Sequence, residues 1–152
     1  MIKILSFKSN YGWISCKEKD NKIVSIFFGK RNVTKTSKSL IKLKNEIIRY
    51  LSGNKKKISL SPLLSGSEIQ IKIWKELQKI PYGKTRSYGQ IAKKLNTSSR
   101  YVGNVCGQNK FLLVVPCHRV IRSDGKLGGF SGLGGIKLKE RLINLELNNK
   151  NL

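Results

Sequence analysis

Apolar residues change their spacing along this chain, and that change bounds the folds open to it. Over residues 2–7, 11–16 and 23–28 they fall in short runs, parted by turn formers at Ser9-Asn10 and Lys19-Asp20-Asn21. The pattern predicts a small antiparallel sheet. Leu40, Leu43, Ile47, Ile48 and Leu51 then recur at helical spacing and stop at Ser52-Gly53-Asn54, which predicts one helix covering that sheet. A lysine triplet, Pro62 and serines fill residues 55–65, so the boundary falls near 61–66 and divides the chain into domains over 1–62 and 63–152.

The second half reads differently. Ser67 is an N-cap for a periodic helix over 69–80, ended by Pro81-Tyr82-Gly83. A short helix within 85–95, a polar turn at Asn96-Thr97 and a second helix over about 98–108 have the outline of a helix-turn-helix, with Arg100 near the start of the second helix. Residues 125–135 are too glycine-dense for helix or strand; they are either a connector or a loop whose backbone comes close to a ligand. A last helix covers 137–147. The fold class expected is α+β: a small N-terminal sheet plus helix, followed by a mainly helical C-terminal domain.

At 152 residues the chain can bury a core without staples. Cys16, Cys106 and Cys117 form neither a disulfide framework nor a metal pattern, and we read them as reduced and intracellular. The first residues are too short for a signal-peptide core, and no apolar run reaches the roughly 20 residues a membrane span needs. A formal charge of +23, from 31 basic against 8 acidic residues, calls for a polyanionic partner, nucleic acid first. A competing explanation for part of the lysine excess is AT-rich codon usage, to which abundant Lys, Asn and Ile with little Ala point.

Chemistry concentrates in Val114-Val115-Pro116-Cys117-His118-Arg119-Val120-Ile121, which sets a thiol beside the single histidine of the chain. A free thiol is only a few per cent ionised at neutral pH, so a nucleophilic cysteine needs a base within reach. On an extended segment neighbouring side chains point to opposite faces, so His118 would act through water or only orient the site. The plainer alternative is a buried structural cysteine beside a core histidine.

The second half, through Ile80-Pro81-Tyr82-Gly83-Lys84-Thr85, Ser87-Tyr88-Gly89-Gln90-Ile91-Ala92, Val102-Gly103, Gln108-Asn109, Pro116-Cys117-His118-Arg119-Val120 and Glu146, resembles the O6-alkylguanine-DNA alkyltransferases. The first half matches only in plan, a sheet plus helix that in the family is ribonuclease-H-like. The resemblance implies transfer of an alkyl group from guanine O6 in duplex DNA to Cys117, once per molecule, without a cofactor. It implies His118 as water-mediated base, Glu146 completing a relay, and Tyr88 crowding the target phosphate and contacting the flipped base. Arg100 would fill the vacated stack, with Ser99, Asn109 and Arg119 as further DNA-binding residues; Asn109 also braces the turn before the active-site strand. Val120 and Ser131 would contact the guanine edge through backbone groups, and Phe130, Cys106 and Leu112 would border the alkyl pocket. Lys139 is either a thiolate-stabilising cation or a solvated surface lysine.

Phe130 stands where many relatives have tyrosine, and with Leu112 it suggests a wall favouring methyl over bulkier adducts. The zinc site of some relatives lacks its histidines here. The expectation is a monomeric, cytoplasmic protein (nuclear in a eukaryote) with no metal and no membrane partner. The rival readings are a non-catalytic lesion-binding protein, a helix-turn-helix regulator with a structural or redox-sensing Cys-His pair, and a cysteine hydrolase.

Overall fold

The computed structural model describes residues 1–129 and 135–151, which divide into two compact units of α+β architecture. One comprises Met1–Leu63 with Lys110–Val114; the other comprises Leu64–Asn109 and Val115–Leu152.

In the first unit β1 (Ile2–Ser9), β2 (Gly12–Lys19) and β3 (Lys22–Phe28) form an antiparallel meander in that order. Asp20 and Asn21, at φ 51° and 66°, supply the left-handed pair that a two-residue hairpin turn demands and that short polar side chains tolerate. β1 and β2 run past the predicted 2–7 and 11–16, because main-chain pairing continues through Lys8, Lys17 and Lys19, whose side chains take no part in it. α1 (Lys38–Leu51) starts where the Ser37 hydroxyl accepts from the Leu40 N–H, and it packs Leu40, Leu43, Ile47 and Tyr50 toward β1 and β2. Cys16 is fully buried in this core with Ile14.

Residues 110–114 cover the open edge of β3. The Ile26 N–H donates to Lys110 O at 2.8 Å and the Leu112 N–H donates to Ile26 O at 3.2 Å. An unpaired strand edge is a liability, and the apolar run Phe111-Leu112-Leu113 gains burial by pairing there. This segment therefore groups with the first unit rather than with its sequence neighbours.

The second unit holds α2 (Glu68–Gln78), β4 (Arg86–Ser87), α3 (Tyr88–Leu95), α4 (Ser99–Cys106), a 3-10 turn at Cys117–Arg119, β5 (Val120–Ile121) and α5 (Gly135–Asn149). Ser67 with Gln70, and Ser87 with Gln90, close reciprocal capping boxes that fix where α2 and α3 begin. Because Arg86 and Ser87 pair in parallel with Val120 and Ile121, α3 starts at Tyr88 and not at 85. Asn96, left-handed at φ 56°, ends α3, and the Ser98 side chain accepts from the Tyr101 N–H to start α4. Ile73, Leu77, Ile91, Val102, Val115, Val120 and Leu142 make the core. Among the described residues no helix is long and apolar enough to cross a membrane.

Candidate active site

The run around Cys117 is not extended. Pro116, at φ −81° and ψ 65°, sits in an inverse γ-turn closed by the Cys117 N–H donating to Val115 O at 2.8 Å. The Arg119 N–H then donates to Pro116 O at 3.0 Å and starts the 3-10 turn. Three residues per turn splay the three side chains about 120° apart. Cys117 lines a cavity, while His118 and Arg119 reach Glu146 on α5.

Burial pushes the Cys117 thiol up to about 11, although the Asn109 side chain and the Lys139 charge pull against that rise. Asn109 Nδ2 donates to Val115 O at 2.7 Å and to Cys117 Sγ at 3.3 Å, so one amide fixes the turn and favours the thiolate.

Behind the thiol lies a charged cluster. Arg119 forks onto Glu146, Nε to Oε1 and Nη2 to Oε2, each at 2.8 Å, and its Nη1 donates to Ile80 O at 2.7 Å. Glu146 Oε1 also accepts from the Gly83 N–H at 3.1 Å, and Oε2 lies 2.8 Å from His118 Nε2. Burial works against ionisation of this carboxyl, but the bonds from His118 and Arg119 outweigh it and hold it well below the usual carboxylate range. Burial lowers His118 despite Glu146, and the Arg119 and Lys139 charges add to the fall. A neutral imidazole facing a carboxylate donates through Nε2–H, which makes Nδ1 the basic nitrogen.

The cavity, about 1160 Å³, is lined by Tyr88, Arg100, Cys106, Cys117, Arg122 and Gly128 among others. Burial, reinforced by the two thiols, keeps Tyr88 a phenol well above its ordinary range. Lys139 Nζ, on a fully buried side chain, donates to Tyr88 Oη and to Gly129 O, both at 3.1 Å. With an acceptor lone pair of Oη engaged, the phenolic proton is directed elsewhere. At Gly128, φ 74°, a Cβ would stand 3.1 Å from Tyr88 Cε2, so glycine lets the loop press on the ring.

The family model for the 6-O-methylguanine DNA methyltransferase DNA-binding domain matches residues 68–148. The chain belongs to this family. It is 44% identical over 99 residues to a methylated-DNA–protein-cysteine methyltransferase of Mycolicibacterium paratuberculosis, covering 64% of this chain and 59% of that protein. To the inducible enzyme of that name from Bacillus subtilis it is 41% identical over 103 residues, 66% of this chain and 56% of that protein. The chain thus spans less than two thirds of the length of these curated relatives. Its fold matches the crystal structure of Mycobacterium tuberculosis O6-methylguanine methyltransferase with a TM-score of 0.83 at 29% identity, over 98% of this chain and 94% of that one. A second mycobacterial structure, in complex with DNA, matches at 0.83 and 28% identity, over 96% and 93% of the two chains.

In this methyltransferase-family chain Cys117, Tyr88, Ser99, Arg100 and Cys106 line the same cavity, with Asn109 and Lys139 bonded to its wall. His118 and Glu146 meet behind it. Arg119, expected on DNA, is instead only 8% exposed with every nitrogen bonded internally, because the 3-10 turn carries it to Glu146. Lys139 is not a solvated surface lysine: its ammonium is held between a phenol and a carbonyl. Leu112, expected at the alkyl pocket, is buried in the first unit, where its N–H pairs with Ile26. Val120 is buried in β5 opposite Arg86. Phe130 and Ser131 lie outside the described residues.

Sequence reasoning missed the turn in which Arg122, Ser123 and Asp124 line the cavity and the Arg122 N–H donates to Lys126 O at 2.8 Å. The Ser123-Asp124-Gly125 run was its turn signal. Gly83 was read as a helix stop and as part of a family motif, but its N–H on Glu146 had no sequence signal.

Proposed function

We propose that the chain is a DNA repair protein that moves a methyl or other alkyl group from O6-alkylguanine in duplex DNA onto its own Cys117, once and irreversibly. The observation that carries this reading is the Cys117 thiol at the wall of an open cavity, hydrogen-bonded by Asn109 and backed by a buried imidazole–carboxylate–guanidinium cluster.

In the reaction the Cys117 proton passes to His118 through a bridging water, and the thiolate attacks the alkyl carbon in line with its bond to O6. The S–C bond forms as the O6–C bond breaks; the electron pair of that bond stays on the purine, which takes up a proton from solvent by way of Tyr88 to become ordinary guanine, and the proton on His118 returns to solvent. Asn109 and Lys139 stabilise charge on sulfur. Glu146, kept ionised by Arg119, stabilises the imidazolium that forms. Tyr88, its hydroxyl held by Lys139, donates toward the purine as O6 takes up charge.

A base inside the stack cannot reach this thiol, so the nucleotide must rotate out at a cost of a few kcal/mol. Arg100, exposed in the first turn of α4 and lining the cavity, fills the gap, with Ser99 beside it as a further DNA-binding residue. We read α3 and α4 as a helix-turn-helix and the first unit as ribonuclease-H-like. The mycobacterial structure in complex with DNA supports DNA as the partner.

A thioether is no leaving group at neutral pH, so product formed from methylated duplex should plateau at one equivalent per chain. Repeated turnover would overturn the proposal.

A further inference from the structure

Cys106 takes no part in the transfer, yet it is buried and lines the same cavity as Cys117. It closes α4, whereas Cys117 opens the 3-10 turn, so two separate elements bring two thiols to one open volume. They lie within electrostatic reach of each other and of the Lys139 ammonium.

We propose that Cys106 and Cys117 form a two-thiol site that takes a neutral trivalent arsenical bearing one organic group, held by two As–S bonds. The reagent enters as R–As(OH)2. Two As–O bonds break, two As–S bonds form, and each thiol proton leaves with a hydroxyl as water. Arsenic stays trivalent, and no oxidant or reductant is required.

Three features select this chemistry. Burial keeps both thiols protonated at neutral pH, Cys117 up to about 11 and Cys106 higher still, which suits an electrophile that carries off the protons with its own leaving groups. The nearby Lys139 ammonium opposes entry of a soft dication but not of a neutral molecule. A disulfide would need Cα atoms about 4.4–6.8 Å apart together with an oxidant, whereas a bridging atom tolerates wider spacing. The cavity volume of about 1160 Å³ leaves room for the organic group.

The binding does not rest on the transfer reading; only its consequence, blockage of the acceptor sulfur, does. Phenylarsine oxide added to the full chain should give one phenylarsenic group per molecule by intact mass. Two of the three free thiols should be lost, with Cys16 still titratable after denaturation. A dithiol should strip the group, and an equal concentration of monothiol should not. Cys106→Ser and Cys106→Ala should each become strippable by monothiol, with retention at least tenfold weaker, while Cys16→Ser holds the group as the wild type does. Peptide mapping of the wild type, which needs no variant to fold, should join the segments carrying residues 106 and 117. No adduct, an adduct on Cys16, or equal retention by the wild type and both Cys106 variants would overturn the site.

Discussion

Cys16 and Cys117 are both buried thiols, one in the core of the first unit's sheet and the other in the turn of the second. Burial alone acts on Cys16 and drives it up to about 12. At Cys117 burial acts too, but Asn109 and Lys139 offset part of it, and the thiol stands at about 11. The two sulfurs therefore differ in the polar groups around them and in the open cavity in front of Cys117, and on the proposed function these are what make one of them an acceptor. Exposure is not the difference.

The largest test of that contrast removes each sulfur in turn. Cys117→Ser should abolish transfer from methylated duplex, and Cys16→Ser should leave the single-turnover yield at one equivalent. Loss in both, or in neither, would break the comparison.

Next in size is the cluster behind the acceptor. Glu146→Ala strands Arg119 in the interior, and denaturant unfolding should register a loss of about 3–5 kcal/mol. In the first unit Glu46 pairs with Lys55, which is a quarter exposed, so Glu46→Ala should cost markedly less. Equal losses would mean that the cluster is ordinary surface pairing.

Removing the thiolate's own donor is a smaller change. A hydrogen bond to a charged group contributes about 1.5–3 kcal/mol, so Asn109→Ala should slow iodoacetamide capture of Cys117 about tenfold or more at neutral pH. Capture of the wild type should rise with pH through about 11, where the thiol is half ionised, and level off only above it. A flat profile between neutrality and that value would contradict a protonated resting thiol.

The smallest expected effect is on the acid limb of stability. Glu146 ionises more readily folded than unfolded, so its contribution is complete above the unfolded value of about 4.3 and drains as the pH falls toward the depressed folded one. Glu146→Gln should flatten unfolding stability over that window, as read by denaturant midpoints. An unchanged acid limb would remove the claim.

Much of the fold was legible because local rules set it. Ser67 before a periodic run, turn-formers between short apolar runs and Asn96 at a helix stop act over a few residues and survive into the structure. The Cys117-His118 pair was legible through the motifs around it, since the dipeptide alone reads more plainly as a structural cysteine beside a core histidine. Arg119 and Lys139 were not. Their partners lie 27 and 51 residues away in sequence, and a basic residue in a chain of charge +23 reads as solvated until a tertiary contact buries it. Residues 110–114 misled for a similar reason: their apolar run satisfies a strand edge in the other unit, a pairing that no local pattern encodes.

The claim beneath all of this is that a single sulfur receives the alkyl group and keeps it. Duplex DNA carrying isotopically labelled O6-methylguanine, incubated with the protein and followed by peptide mass mapping, tests it directly. The account predicts one labelled methyl per chain, on Cys117 and resistant to dialysis. Label released to solvent, or found on Cys16 or Cys106, would contradict it.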